Sequence, residues 1–136
     1  MRSVTVVPTY NERENLSRLV PEVLAVDSEL DVLVVDDGSP DGTGELAERL
    51  GRQTGRVRVL HRSGKEGLGS AYVEGFRVAL ESGYERVVQM DADLSHRPED
   101  LPRLLRASEE ADVAIGSRGV PGGRVEEWSA LRRFVS

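Results

Sequence analysis

The sequence predicts an α/β fold built on a parallel sheet, and three observations carry that reading. Five apolar runs of strand length alternate with longer segments of helical periodicity. The runs are rich in β-branched residues, as strands covered on both faces should be. Each run ends in a polar or glycine-rich motif, as expected where the carboxyl ends of parallel strands form a ligand edge.

The first run, Val4 to Val7, leads through PTYNE into a helix. Asn11 is expected to cap that helix with Glu14 answering three positions on, and Leu16, Leu19, Val20, Val23 and Leu24 form its apolar stripe. The second run, Val32 to Val35, ends in DDGSPDGT before a helix presenting Leu46, Ala47 and Leu50. The third, Val57 to Leu60, is followed by HRSGKEGLG and a helix from Ser70 to Ser82 expected to bury Tyr72, Val73, Phe76, Ala79 and Leu80. The fourth, Val87 to Met90, ends in DADLSH, and the next helix starts near Pro98, a suitable first-turn residue, with Leu101, Leu104 and Leu105 inward. The fifth run, Val113 to Ile115, precedes GSRGVPGG.

A chain of 136 residues suits one domain, 1–136, with a single core. No apolar run approaches the ~20 residues of a membrane helix, and the first ten residues lack a secretory signal, so a cytoplasmic setting is expected. The absence of cysteine excludes disulfides and thiolate chemistry. A formal charge of −6 argues against nucleic acid as a partner. The final segment, EEWSALRRFVS, begins an amphipathic helix with Trp128, Leu131 and Val135 and stops after about two turns, so a C-terminal truncation is expected.

The chemistry concentrates on the carboxyl edge. Asp91 and Asp93 are two residues apart, which in extended backbone turns both carboxylates to one side, where they can face one divalent cation. Two oxygen ligands leave positions for water and substrate phosphates, as suits Mg2+ or Mn2+ at a diphosphate; the competing role is capping of the turn that follows. Asp36 and Asp37 are adjacent and must diverge, so one of them, Asp36 the better candidate, reads a ligand while Asp37 and Asp41 shape the turn. Tyr10 could stack on a base and Glu12 could accept from a base or sugar, or both could serve the helix start. Lys65, Gly67 and Gly69 could cradle an anion at a helix start, but the phosphate-loop pattern is missing and a close-packed turn is the preferred reading of the glycines. Arg118, Arg132 and Arg133 carry forked donors suited to phosphate, with only one of the last two able to face a site. His61 and His96 read as turn or packing residues.

Taken together, VVPTYNERENL, VVDDGSPDGT, GLGSAYVEGF, MDADLSHRPEDLP and IGSRGVPGG closely resemble the inverting family-2 glycosyltransferases with the Rossmann-like GT-A fold, and within them the polyprenol-phosphate (dolichol-phosphate) mannosyltransferase subgroup. The resemblance spans nearly the whole chain, with 117–136 as the start of the acceptor side. It implies transfer of mannose from GDP-mannose to a polyprenyl phosphate at the cytoplasmic membrane surface, with Mg2+ or Mn2+ as cofactor. It further implies nucleotide-sugar contacts at Pro8, Tyr10, Glu12, Val34, Asp36, Asp37, Asp91, Ala92, Asp93, Ser95 and Arg118, a metal at Asp91 and Asp93, and catalytic roles for Asp93, Arg118 and Arg132. Ser95 departs from the glutamine that some members carry there. Two rivals share the motifs: a transferase using UDP-sugars, which for a hydroxyl acceptor needs a catalytic base, and an idle nucleotide-binding module.

Overall fold

The computed structural model describes residues 1–64 and 66–117. The chain divides into two compact units, Met1–Pro102 and Arg103–Ser136. In the first, four parallel strands, β1 (Ser3–Thr9), β2 (Leu30–Asp36), β3 (Val57–His61) and β4 (Arg86–Gln89), lie in the order β3-β2-β1-β4. β1 pairs with β2 from Ser3 opposite Leu30 to Thr9 opposite Asp36, and with β4 from Ser3 opposite Arg86 to Val6 opposite Gln89.

Helices α1 (Arg13–Leu24), α2 (Thr43–Thr54) and α3 (Leu68–Glu81) make the crossovers, and a 3-10 turn at Pro98–Asp100 leads into α4 (Leu101–Ala107). Crossovers between parallel strands are right-handed. The two steps from β1 to β2 to β3 therefore put α1 and α2 on one face, and the return from β3 to β4 puts α3 on the other. The side chains follow this division. Val4, Val6, Leu33 and Val35 form one cluster with Ala71, Tyr72 and Ala79 of α3 and with Tyr84. Val7, Val32 and Val34 alternate with them and belong to the opposite face. There α1 and α2 pack together and bury Leu16, Leu19, Val20, Val23, Leu46 and Ala47.

Residues of α3 spaced by four, Ala71, Gly75 and Ala79, take its sheet side. A β-carbon on Gly75 would lie 2.5 Å from Val6 Cγ1 and 3.0 Å from Val35 Cγ2, so the helix backbone sits as close as a glycine permits. That close seat overturns the expected burial of Val73 and Leu80, which are exposed at 69% and 65%. The small residues, not the large ones, face the strands.

In the second unit, the described residues after α4 form no regular element. The strand expected at Val113 to Ile115 is absent, and both end residues are exposed, at 74% and 82%. Apolar β-branched character suits a strand but cannot make one without a ladder to take its N–H and C=O groups. No helix among the described residues is long and apolar enough to cross a membrane.

Candidate active site

The connections run outward from β1 through β2 to β3 and then return to the far side of β1, so the order reverses between β1 and β4. In open sheets of this kind the ligand crevice lies outside the carboxyl ends at that reversal. Those two ends carry TYN and DAD.

Beyond β1, Tyr10 is 40% exposed on the rim and Pro8 is half-buried. Asn11 takes a left-handed conformation, φ 54°, which removes it from the expected capping role. The capping box with Glu14 is not formed; Glu12 holds the N-cap position, and its side chain makes no cap bond. Instead, the three N–H groups that open this turn are met by the loop after β2. Asn11 donates to Ser39 Oγ at 2.9 Å, Glu12 to Thr43 Oγ1 at 3.1 Å and Arg13 to Asp41 Oδ2 at 3.2 Å. Glu12 Oε2 accepts from Asn15 Nδ2 at 2.8 Å.

The same loop is gathered by Asp36, which is only 3% exposed. Its Oδ1 accepts from Thr9 Oγ1 at 2.8 Å and from Ser39 Oγ at 2.6 Å, and its Oδ2 accepts from Ser39 N–H at 3.0 Å. Asp37 diverges from it, as adjacent extended residues must. It meets Arg62, whose Nε is 3.1 Å from Asp37 Oδ1, a close ion pair without hydrogen-bond alignment. Burial pushes the Asp37 carboxyl above its ordinary value, and Arg62 offsets part of that rise. Val34, by contrast, is fully buried between β1 and β3. Its side chain is core and does not reach the rim.

Arg62 was not legible as a site residue. It is buried, and its guanidinium also meets Glu66 at 3.0 Å, Ser70 Oγ at 3.2 Å and Glu74 at 3.5 Å. One cation thus ties the loop after β3 and the first turns of α3 to the end of β2. The available signal was its place immediately after β3, ahead of the glycines that drew attention.

Asp91 and Asp93 lie past the end of β4 in a bend, with Leu94 at φ 65°, so the extended-strand argument for their shared direction does not hold. Asp91 Oδ1 accepts from the Tyr72 hydroxyl at 2.5 Å, and Asp91 N–H donates to His96 Nδ1 at 3.0 Å. Asp93 is exposed; its Oδ1 accepts from Ser95 Oγ at 2.5 Å and Ser95 N–H at 3.0 Å. These bonds, that from the Ser95 hydroxyl foremost, hold the Asp93 carboxyl below its ordinary range. Ala92 between them is buried. Tyr72, 5% exposed, is pushed well above the usual phenol value by burial, by its bond to Asp91 and by the charges of Asp91 and Asp93, so it stays a donor throughout the physiological range. The sequence placed Tyr72 in the core stripe of its helix and gave no sign of this bond.

Among the described residues no hydrogen bond reaches Oδ2 of Asp91 or Oδ2 of Asp93, and no group of three or more acidic, histidine or cysteine side chains is arranged to hold a metal alone. Two hard carboxylate oxygens with open positions fit a divalent cation that completes its shell with water and phosphate. Lys65, Arg118, Arg132 and Arg133 lie outside the described residues.

Residues 4–135 match the family described as Glycosyl transferase family 2. An undecaprenyl-phosphate mannosyltransferase of Micrococcus luteus is 52% identical over 136 residues, all of this chain and 56% of its own length. A polyprenol monophosphomannose synthase of Mycolicibacterium smegmatis is 53% identical over 99% of this chain and 52% of its own length. The chain thus spans about half the length of these curated relatives. Among solved structures, a mannosyltransferase from Pyrobaculum calidifontis in complex with GDP-Man and Mn2+ superimposes with a TM-score of 0.57 at 28% identity, over 68% of this chain and 27% of that one. The parallel sheet is the GT-A arrangement expected from the motifs.

Proposed function

The chain belongs to glycosyl transferase family 2, and from that premise we propose that it serves the transfer of mannose from GDP-mannose to a polyprenyl phosphate, with inversion at the anomeric carbon. The observation that carries this reading is the pair Asp91 and Asp93 on the rim where strand order reverses, in a chain half identical to two polyprenyl-phosphate mannosyltransferases. In this reading Tyr10 stacks on the base, and Pro8 and Glu12 line its pocket. Asp36 holds the loop that the ribose meets, with Asp37 held behind it by Arg62. Asp91 and Asp93 would hold Mg2+ or Mn2+, with Ala92 and Ser95 shaping the bend between and after them. When bound, the cation supplies positive charge against the departing diphosphate.

The chain's own residues carry the rest by orientation. The acceptor is a phosphate monoester, whose second pKa of about 6 makes it anionic near neutrality, so no side chain need remove a proton. An acceptor phosphate oxygen forms the new bond to the anomeric carbon as the bond from that carbon to the diphosphate oxygen breaks, the electron pair leaving on the diphosphate. Alignment of those two oxygens is the main contribution asked of the protein. Arg118 and Arg132 are assigned to the donor and acceptor phosphates, where a forked cation suits both. A lipid phosphate acceptor calls for a peripheral position at a membrane surface, which in this reading is the cytoplasmic face. The test is transfer of labelled mannose from GDP-mannose to polyprenyl phosphate by a protein carrying this chain at the relatives' full length. Mannosyl phospholipid formed only with a divalent cation supports the reading, and absence of any transfer product overturns it.

A further inference from the structure

We propose that Tyr72 is a positioning residue that makes Asp91 a one-oxygen ligand and so biases the site toward Mn2+ and Mg2+ over Ca2+; this rests on the metal assignment above. The Tyr72 hydroxyl donates to Asp91 Oδ1 at 2.5 Å, a short bond to a half-buried carboxylate. That oxygen is engaged, and Oδ2 is the one that takes no hydrogen bond among the described residues.

The donor cannot easily drift. Tyr72 is 5% exposed, its ring stands 5.9 Å from that of Phe76, and its helix is seated where a β-carbon on Gly75 would strike Val6 Cγ1 at 2.5 Å. The acceptor is fixed from its other side, because the N–H of Asp91 donates to His96 Nδ1 at 3.0 Å. A carboxylate held at one oxygen, on a backbone that is itself tied to His96, offers a cation its other oxygen in a set direction. Mg2+ demands near-octahedral geometry at about 2.0–2.1 Å, which single oxygens supply, whereas Ca2+ takes more ligands and accepts both oxygens of one carboxylate. A phenol on Oδ1 opposes the second arrangement.

The experiment uses Tyr72→Phe, which keeps the ring and deletes the donor. Affinities for Mn2+ and for Ca2+ are measured in the presence of GDP, by calorimetry and by competition against Mn2+ electron paramagnetic resonance. Loss of a partner that orients a metal ligand commonly costs roughly 10- to 100-fold in affinity. The expected result is a fall in Mn2+ affinity of at least that lower bound, with a smaller fall or a gain for Ca2+, so that the Mn2+ to Ca2+ preference narrows. Unchanged Mn2+ affinity and preference in Tyr72→Phe, beside a wild type that binds Mn2+ with GDP, overturns the role of Tyr72 and leaves the metal assignment standing. A wild type that binds no Mn2+ with GDP overturns both. If the variant does not fold, the wild type decides by nuclear magnetic resonance: Mn2+ with GDP should broaden the Tyr72 ring resonances beyond detection, and sharp ring resonances at saturation overturn the proposal.

Discussion

Asp41 and Arg13 join two helices through one carboxylate: Asp41 Oδ2 accepts the N–H of Arg13, the first residue of α1, while Oδ1 accepts the N–H and hydroxyl of Thr43, the first residue of α2. Burial alone would raise this carboxyl, but the Thr43 hydroxyl and the N–H groups of Arg13 and Thr43 outweigh it and hold it below the ordinary 3.8. A carboxyl lowered by folding contributes stability that is complete above its unfolded value and lost as pH falls through the lower folded one. Asp41 is exposed, so solvent screens much of this, and Asp41→Ala should cost about 0.5–1 kcal/mol at pH 7, the lower part of the range for lost side-chain bonds to helix-opening N–H groups. Urea melts across pH 2 to 7 should also show a shallower acid limb in Asp41→Asn than in the wild type. An acid limb of unchanged slope would remove Asp41 from this role.

A second prediction concerns Thr5, fully buried in β1 with a hydroxyl that has no partner among the described residues. Replacing an unpaired buried hydroxyl by a methyl removes a desolvation cost of about 1–3 kcal/mol. Thr5→Val should leave the midpoint of thermal unfolding unchanged or raise it. A clear fall would show that the hydroxyl is bonded in solution.

The third follows from the seat of α3. A β-carbon on Gly75 would lie 2.5 Å from Val6 Cγ1, and overpacking of this kind costs roughly 1–3 kcal/mol, more than the ~1 kcal/mol of helix propensity that alanine adds. Gly75→Ala should unfold at lower temperature. Because Tyr72 sits on the same helix, it should also weaken Mn2+ binding in the presence of GDP.

What the sequence made legible were features that a single segment decides. Four strands stand within a few residues of their apolar runs, because β-branched runs covered on both faces leave little choice of partner surface. The features it hid are relations between distant segments. Asn11 and Glu14 spell a capping box, yet the N–H groups of Asn11, Glu12 and Arg13 that lead into α1 are met by Ser39, Thr43 and Asp41, some thirty residues away. Val73 and Leu80 fit the helical stripe, but a glycine at position 75 and alanines at 71 and 79 rotated the smaller side onto the sheet. In the site, Asp91 and Asp93 were visible as paired carboxylates, and Asp36 as a divergent neighbour of Asp37. Tyr72 and Arg62 were not, since a tyrosine in an apolar stripe and an arginine after a strand become site residues only through contacts the fold creates.

The fourth prediction is that Asp93→Ala, in a protein of the relatives' full length, lowers mannosyl transfer by orders of magnitude with little change in stability. Asp93 is exposed, and exposed substitutions usually shift stability by no more than about 0.5 kcal/mol. An unchanged rate would sink the metal assignment.

The most direct test of the central claim is calorimetric titration of this chain with GDP and with UDP, each with and without Mn2+. The account predicts binding that needs the metal and favours GDP. Preference for UDP, or no binding of either nucleotide with the metal present, would contradict it.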